Sequence, residues 1–182
     1  MKRSSPEPNL YLIEDFLSPQ ECDELIIWSE QHGFEEAKVQ LEGREVMLKS
    51  VRNNARIVFT DHSLAQRLWE RFRPFAVQEF AGSIVSGFNE RFRFYRYEPG
   101  QRFKKHRDGS YVRSEKEASF FTFMIYLNDD FEGGETTFEK HSIKPRKGMA
   151  LIFEHPLKHA GEPVTRGIKY ALRTDIMYTL TK

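Results

Sequence analysis

The spacing of apolar residues indicates a helix near the start of the chain. Ser18 precedes Pro19, and Glu21 stands three residues after Ser18, which is the pattern of a capping box. Apolar residues then recur at helical spacing until Gly33, a residue type that often ends helices. The pattern predicts a helix from Pro19 to His32.

A second helical pattern lies between Asp61 and Gly82. Its apolar residues fall on one face of a helix and are Leu64, Leu68, Phe72 and Phe75. Proline removes a backbone donor and clashes with the preceding helical turn. We therefore expect this second helix to kink or end near Pro74.

From Glu90 onward the pattern is typical of strands. Aromatic and β-branched residues dominate four segments, and pairs of turn residues separate them. The segments are Arg91–Tyr97, Phe120–Leu127, Gly148–Phe153 and Ile168–Leu180, and the turn pairs are Pro99-Gly100, Asp108-Gly109 and Gly133-Gly134. Helices followed by many short strands predict an α+β domain built on an antiparallel sandwich or barrel.

Length and composition limit the class of protein. A chain of 182 residues is long enough for one compact domain and too short for two ordinary ones. We expect a flexible N-terminus over 1–9 and a single domain over 10–182, with helical support in about 10–85 and strands in about 90–180. The formal net charge of +1 argues against nucleic acid as a partner. No apolar run is long enough for a membrane span.

The cysteine content bears on location. Cys22 is the single cysteine, so the chain cannot form an internal disulfide. Lys2 and Arg3 are not followed by the apolar stretch of a secretion signal. Both observations favour a reducing, cytoplasmic setting.

His106 and Asp108 form the first candidate metal-binding pair. In an extended chain, residues i and i+2 point to the same side, so the imidazole and the carboxylate can converge on one ion. His159 would complete a set of two histidines and one carboxylate, which leaves three positions of an octahedral Fe(II) open. His155 is the alternative third ligand, although Pro156 after it favours a turn.

Lys169 follows the Gly167 turn and can return to the same cavity as His159. A lysine buried without a partner is costly, so an anionic ligand would satisfy it. Arg173 shares the strand face of Lys169 and is the alternative carboxylate anchor. An ion pair between Arg173 and Asp175 is equally compatible with the sequence.

Four linked motifs, taken in order, resemble the catalytic domain of prolyl 4-hydroxylase-type Fe(II)/2-oxoglutarate dioxygenases. They are Tyr97–Asp108, Tyr126–Asn128 leading to Glu132–Phe138, Lys147–Phe153 and His159–Tyr170. The resemblance implies a double-stranded β-helix (jelly-roll) core with N-terminal supporting helices. It also implies a hydroxylase of an unactivated C–H bond that uses Fe(II), 2-oxoglutarate and O2 and releases succinate, with ascorbate as a candidate reductant.

The resemblance assigns roles by position. It implies that Fe(II) is held by His106, Asp108 and His159, that Lys169 pairs with the distal carboxylate of 2-oxoglutarate, and that Tyr97, Tyr126 and the further candidate Thr137 line the cosubstrate pocket. The chain departs from the collagen-type enzymes at Tyr170, where they carry tryptophan, and it has no room for their separate peptide-binding domain. We therefore expect a substrate other than collagen, either a protein residue such as proline or a small molecule such as an amino acid.

Arg52, Asn54 and Arg56 alternate along a strand-like segment and would share one face. Two guanidinium groups and an amide can bind carboxylate or carbonyl oxygens, so this face is a candidate substrate contact. Residues 109–117 would form a mobile flap beside it. A solvated turn is the alternative, because Asn-Asn is a common turn pair.

Two other functions are compatible with the same motifs. One is an oxidative demethylase of nucleic acid on the same iron centre, with Arg91–Arg96 and Lys104-Lys105 contacting the backbone. The other is a jelly roll that binds metal without catalysis. Succinate release with candidate substrates would separate the enzymes from the binding module.

Overall fold

The structure is a computed structural model that describes residues 1–36, 39–41, 44–46 and 53–181. Its helices are α1 (Pro19–His32) and α2 (His62–Phe72), and a 3-10 turn covers Arg73–Phe75. Its strands are β1 (Lys2–Glu7), β2 (Leu10–Glu14), β3 (Glu35–Glu36), β4 (Val39–Leu41), β5 (Arg44–Val46), β6 (Ala55–Thr60), β7 (Glu79–Phe80), β8 (Ser83–Phe88), β9 (Arg91–Tyr97), β10 (Phe103–His106), β11 (Val112–Ser114), β12 (Glu117–Tyr126), β13 (Glu132–Gly133), β14 (Thr136–Thr137), β15 (Ser142–Ile143), β16 (Ala150–Glu154), β17 (His159–Gly161), β18 (Val164–Arg166) and β19 (Lys169–Leu180).

Helix α1 begins and ends where the sequence predicts. The Ser18 hydroxyl accepts a hydrogen bond from the backbone N–H of Glu21 (3.2 Å), and the Glu21 carboxylate accepts one from the backbone N–H of Ser18 (2.8 Å). This reciprocal capping box satisfies two donors of the first turn. At the other end Gly33 has a φ of 76°, which a residue with a side chain would adopt only with strain, and the helix stops there.

Helix α2 packs one face on the sheet. Asp61 caps it by accepting a hydrogen bond from the backbone N–H of Leu64 (2.8 Å). The Phe72 ring lies 5.1 Å from Phe88 and 5.0 Å from Phe123, measured between ring centroids. Pro74 falls in the 3-10 turn, so the predicted second helix is confirmed and ends just before the proline.

Two sheets enclose the pocket that forms the centre of the fold. The major sheet has the order β1-β2-β16-β12-β19-β9-β6-β3, with β11 attached to β12 and the β7-β8 pair attached to β19. The minor sheet has the order β10-β17-β14-β15. Side chains from both sheets line the pocket between them. The predicted double-stranded β-helix with supporting helices is confirmed.

Alternation along β9 separates the two faces of the major sheet. Phe92 and Phe94 are fully buried on the helix side, where the ring of Trp28 lies 5.4 Å from that of Phe94. Tyr95 and Tyr97 point the other way and line the pocket. Because β9 lies between β6 and β19, residues paired with these tyrosines share the pocket side.

The N-terminal half differs from the sequence expectations in two respects. Within residues 1–9, expected to be a flexible terminus, Lys2–Glu7 forms β1 and pairs with β2. This strand is a polar, exposed edge strand, so no apolar alternation marks it in the sequence. The stretch 10–85 is also more than helical support, because β2, β6 and β8 join the major sheet through partners that are distant in sequence.

Candidate active site

Three predicted ligands converge beside the minor sheet. His106 ends β10 and His159 begins β17, and the pairing of these strands places the two residues opposite each other. Asp108 follows in the next loop. The Nε2 atom of His106 lies 3.5 Å from Oδ1 of Asp108, and Nε2 of His159 lies 3.8 Å from Oδ2. One candidate ligand atom from each residue lies within 4.8 Å of the others.

Backbone carbonyls set the orientation of both imidazoles. Nδ1 of His106 lies 2.8 Å from the carbonyl oxygen of Lys104, and Nδ1 of His159 lies 3.0 Å from that of Leu157. A carbonyl oxygen only accepts, so each Nδ1 donates to it, and in a neutral imidazole this tautomer leaves the lone pair on Nε2. Both lone pairs are therefore available on the atoms nearest Asp108, as in many metal sites in which Nδ1–H bonds the backbone.

Burial and neighbouring charges shift the pKa values of His159 and Asp108 so that the imidazole is neutral and the carboxylate is ionised. Burial lowers the pKa of His159 to about 4, although the Asp108 carboxylate opposes this shift. Burial would raise the pKa of Asp108, but the Arg173 guanidinium and the neighbouring imidazoles hold it well below its usual range. Two histidines and one carboxylate that leave further positions open are the donor set of non-haem Fe(II) oxygenases. The residues present fit Fe(II).

His155 lies outside this cluster. Its Nδ1 is 3.3 Å from the hydroxyl of Ser110, and its Nε2 is 3.7 Å from Asp175. The structure therefore brings His159, and not His155, together with His106 and Asp108.

Lys169 lies in the same pocket and is almost completely buried. Its ammonium donates to the carbonyl oxygen of Gly134 (2.6 Å) and lies 5.4 Å and 5.2 Å from the ring centroids of Tyr97 and Tyr126. No carboxylate of the described residues pairs with it at ion-pair distance. Burial lowers its pKa to about 8, partly opposed by the charge of Glu135. The pocket thus holds a cation that an anionic ligand would stabilise.

The structure places Thr136 in the pocket at the position where the resemblance implies Thr137. Strand β14 contains only Thr136 and Thr137, and successive side chains of a strand face opposite sides. Thr136 is the pocket residue, and the Tyr126 hydroxyl donates to its Oγ1 at 2.6 Å. Thr137 faces outward and donates to Glu162 (2.6 Å).

Arg173 also lines the pocket, but carboxylates of the protein already surround it. Its guanidinium donates to Oδ1 of Asp108 (3.0 Å) and to Oδ1 of Asp175 (3.1 Å). The ion pair with Asp175 is therefore present, and Lys169 is the cation left without a carboxylate.

The candidate substrate face is partly described. Arg52 lies outside the described residues. Arg56 pairs with Tyr95 across β6 and β9, so this position belongs to the face of the sheet that borders the pocket. Asn54 is buried, and its amide donates to the carbonyl oxygen of Ala55 (2.8 Å). In the expected flap over 109–117, Val112–Ser114 instead forms β11 and pairs with β12.

Two residues that touch the ligand cluster were not predicted from the sequence. Phe103 stacks on His106 with ring centroids 3.5 Å apart, because a β-bulge between them puts both on one side of β10. Thr122 donates to Oδ2 of Asp108 at 2.6 Å. No local signal marks Thr122, because the contact depends on β12 passing beside the Asp108 loop.

Comparisons with known proteins agree with this geometry. Residues 92–174 match the model of the 2OG-Fe(II) oxygenase superfamily, a range that contains the three clustered residues and Lys169. Prolyl 4-hydroxylase 1 of Arabidopsis thaliana is 26% identical over 168 residues, which cover 80% of this chain and 57% of the relative.

Two solved structures extend the comparison. The viral collagen prolyl hydroxylase of Paramecium Bursaria Chlorella virus-1, in its 2OG complex, has a TM-score of 0.69 at 26% identity, with 94% of this chain and 96% of that chain covered. A prolyl hydroxylase from Trichoplax adhaerens, in complex with a hypoxia inducible factor peptide fragment, shares the fold with a TM-score of 0.68 at 18% identity, over 92% of this chain and 83% of that one. These comparisons support a 2OG-Fe(II) oxygenase of the prolyl 4-hydroxylase type.

The match to this superfamily supports the reaction class. A 2OG-Fe(II) oxygenase uses Fe(II), 2-oxoglutarate and O2, and this one is a hydroxylating dioxygenase. The predicted family, enzyme class and cofactors are thereby confirmed.

Proposed function

We propose that this oxygenase hydroxylates a prolyl residue of a peptide or protein. In this proposal His106, Asp108 and His159 hold Fe(II), and Lys169 holds 2-oxoglutarate. The observation that carries it is that the three candidate ligand atoms and a buried ammonium line one pocket, and that no carboxylate of the described residues pairs with this ammonium.

The metal ligands are prepared before the ion arrives. Backbone carbonyls orient the rings of His106 and His159 through Nδ1, and the Asp108 carboxylate is ionised. Bound Fe(II) supplies the oxidation, in which 2-oxoglutarate and O2 yield succinate and CO2 while the second oxygen atom enters a C–H bond.

The cosubstrate end of the pocket depends on Lys169. Its ammonium would bind the carboxylate of 2-oxoglutarate that is remote from the metal. Tyr97 and Tyr126 flank the ammonium, and Thr136 accepts the hydrogen bond that fixes the Tyr126 hydroxyl. This arrangement would orient the cosubstrate along the pocket from Lys169 towards the metal ligands.

Apolar side chains form the remaining walls and exclude water. They are Phe103, Met124, Phe153 and Ala171. Low polarity strengthens the attraction between an ammonium and a carboxylate, and it protects the reaction from solvent.

The prolyl substrate is inferred from the relatives. The Arabidopsis protein is named a prolyl 4-hydroxylase, and the viral structure is that of a collagen prolyl hydroxylase. This chain covers 96% of the solved viral chain. Length alone is therefore no argument against a collagen-like peptide, and the expectation of a substrate other than collagen rests on Tyr170.

The strand face that contains Asn54 and Arg56 is the proposed substrate contact. Arg56 lies on the pocket side next to Tyr95, and a guanidinium fork there could bind backbone carbonyls or a carboxylate of the substrate. This position supports a substrate with several carbonyl groups, as a peptide has.

Succinate release is the test of the proposed function. Proline-containing peptides should stimulate it and gain one oxygen atom in mass, whereas free amino acids and methylated oligonucleotides should not. Stimulation by the oligonucleotides alone would overturn the prolyl proposal in favour of a demethylase. Absence of turnover with Fe(II), 2-oxoglutarate and every substrate class would favour a binding module. His106→Ala serves as the inactive control.

The cellular setting rests on a separate observation. None of the described helices is long and apolar enough to cross a membrane. Cys22, the single cysteine, is buried, and burial raises the pKa of its thiol to about 11. We infer a cytoplasmic location from the cysteine content. We also propose a single domain over 10–182, to whose major sheet β1 adds an edge strand.

A further inference from the structure

A buried network of charges lies behind the metal-binding carboxylate. Arg173 bridges Asp108 and Asp175, with Nη1 3.0 Å from the first carboxylate and Nη2 3.1 Å from the second. Arg93 donates to the other oxygen of Asp175 at 3.3 Å. The side chains of Arg173, Asp108 and Asp175 are 12%, 4% and 1% exposed, so the network is shielded from solvent.

Strand register separates Arg173 from the cosubstrate end of the pocket. Lys169 lies opposite Tyr97 and Arg173 lies opposite Arg93, four residues farther along β19. Four residues span about 13 Å in a strand. Lys169 therefore serves the end lined by Tyr97 and Tyr126, and Arg173 serves the end occupied by Asp108.

The two oxygens of Asp108 have separate partners. Oδ1 accepts from Arg173 at 3.0 Å, and Oδ2 accepts from Thr122 at 2.6 Å. A carboxylate with one hydrogen bond on each oxygen cannot rotate about its terminal bond without losing both. Its orientation towards the Nε2 atoms of His106 and His159 is therefore fixed by side chains that do not themselves belong to the candidate ligand set.

We propose that Arg173 is a positioning residue for the metal-binding carboxylate, and that Asp175 holds Arg173 in place. The planar guanidinium fork makes one hydrogen bond to each carboxylate, which a flexible ammonium cannot reproduce with the same geometry. Because the fork links the Asp108 carboxylate to the Asp175 carboxylate, Asp108 is already oriented before the metal binds. This inference rests on the proposed assignment of Asp108 as a metal ligand.

Charge balance is the competing explanation of the network. Arg93 and Arg173 offset Asp108 and Asp175, so removal of Arg173 alone leaves one buried negative charge without compensation. A double variant, Arg173→Met with Asp175→Asn, restores the balance and still lacks the fork. Comparison of the single and double variants therefore separates positioning from charge balance.

The experiment measures Co(II) affinity by absorption titration, with no cosubstrate and no turnover. We expect Arg173→Met, Arg173→Lys and the double variant each to bind Co(II) about 10-fold or more weakly than the natural chain, because loss of a partner of a metal ligand costs about 10- to 100-fold in affinity. In a separate turnover assay at saturating Fe(II), the KM for 2-oxoglutarate should change less than about twofold, because Lys169 is intact. Arg166→Met is the matched control, since Arg166 is 79% exposed and pairs with Glu132 at the surface.

Each outcome decides the proposal. Natural Co(II) affinity in the double variant would show that Arg173 only balances charge, and a KM for 2-oxoglutarate that rises as much as in Lys169→Ala would make Arg173 a cosubstrate anchor. If Arg173→Met alone fails to fold, the double variant and Arg173→Lys carry the test. Asp108→Ala checks the underlying assignment: if it binds Co(II) normally, the proposed metal site itself is wrong.

Discussion

Burial makes the charge of Lys169 sensitive to pH under ordinary assay conditions. Its pKa falls from the usual 10.5 to about 8, because the pocket desolvates the ammonium. Below that value the lysine is protonated and attracts a carboxylate, and above it the free enzyme loses this charge. We predict that the affinity for 2-oxoglutarate declines above about pH 8, by about tenfold for each further pH unit. Titration calorimetry across this range measures it.

The groups around Lys169 define the control for this prediction. Tyr97, Tyr126 and Glu135 face the ammonium, and burial raises the pKa of Tyr126 above its usual range, so that phenol stays neutral. Lys169→Met should bind 2-oxoglutarate weakly and without the alkaline decline. An affinity that stays constant up to the ordinary lysine pKa would contradict the assignment of Lys169.

The choice between His159 and His155 leads to a second prediction. His159 offers Nε2 to the cluster, whereas the Nε2 atom of His155 lies 3.7 Å from Asp175. We expect His159→Ala to lower the Co(II) affinity by about as much as His106→Ala does. This loss should exceed the roughly 10- to 100-fold that follows removal of a hydrogen-bond partner of a metal ligand. His155→Ala should keep its affinity within about tenfold. The reverse order in metal titrations would show that the ligand set is misassigned.

At the scale of elements, Glu21 joins the two helices. Its carboxylate completes the α1 capping box and accepts two hydrogen bonds from Arg71 of α2, at 2.7 Å and 3.0 Å. The Arg71 hydrogen bonds lower the pKa of Glu21 from 4.5 to about 2. Since the Glu21 side chain is 38% exposed, the ion pair contributes less than about 1 kcal/mol to the free energy of unfolding.

The sign of this shift gives a third prediction. The unfolded chain binds a proton at Glu21 more readily than the folded chain, so the contribution is complete above pH 4.5 and is lost as the pH falls towards about 2. Glu21→Gln should therefore be less stable than the natural chain at neutral pH, and the gap should shrink in acid. Urea denaturation at several pH values tests this. Glu24→Gln, an exposed change on the same helix, should show no such trend.

Elements with local signals were predictable, and those with distant partners were not. Helix α1 has its cap and its terminal glycine in the sequence, and its bounds agree with the structure. The strand β1 is polar apart from Pro6, so its sequence carries no strand signal, and it pairs with β2 in the structure. The two-residue strand β14 is too short for its alternation to be assigned, so the sequence does not distinguish Thr136 from Thr137 as the pocket residue.

The same distinction holds for the candidate site. The ligands His106, Asp108 and His159 belong to motifs that can be read along the chain, and the structure brings them together. The hydrogen bonds of Thr122 and Arg173 to Asp108 join residues far apart in sequence. Such contacts follow from strand register, which the sequence does not specify locally.

At the scale of the whole molecule, the pocket separates two tasks. The proposed metal ligands and Lys169 are in the interior between the sheets, whereas Arg56 is on β6, towards the edge of the major sheet. Decarboxylation of 2-oxoglutarate needs only the interior groups. Hydroxylation also needs the substrate to be held over them, so changes on β6 should affect one half-reaction more than the other.

This separation leads to the last prediction, which concerns Arg56. Arg56→Ala should lower kcat/KM for peptide hydroxylation by about tenfold or more, because a guanidinium that binds the substrate is lost. Slow substrate-free release of succinate should stay within about twofold of the natural chain, since the metal ligands and Lys169 are unchanged. Parallel assays of succinate and hydroxylated peptide measure both, with the exposed Arg166→Ala as the control. If Arg56→Ala slows both half-reactions equally, Arg56 supports the pocket as a whole, and the substrate must be held by another face.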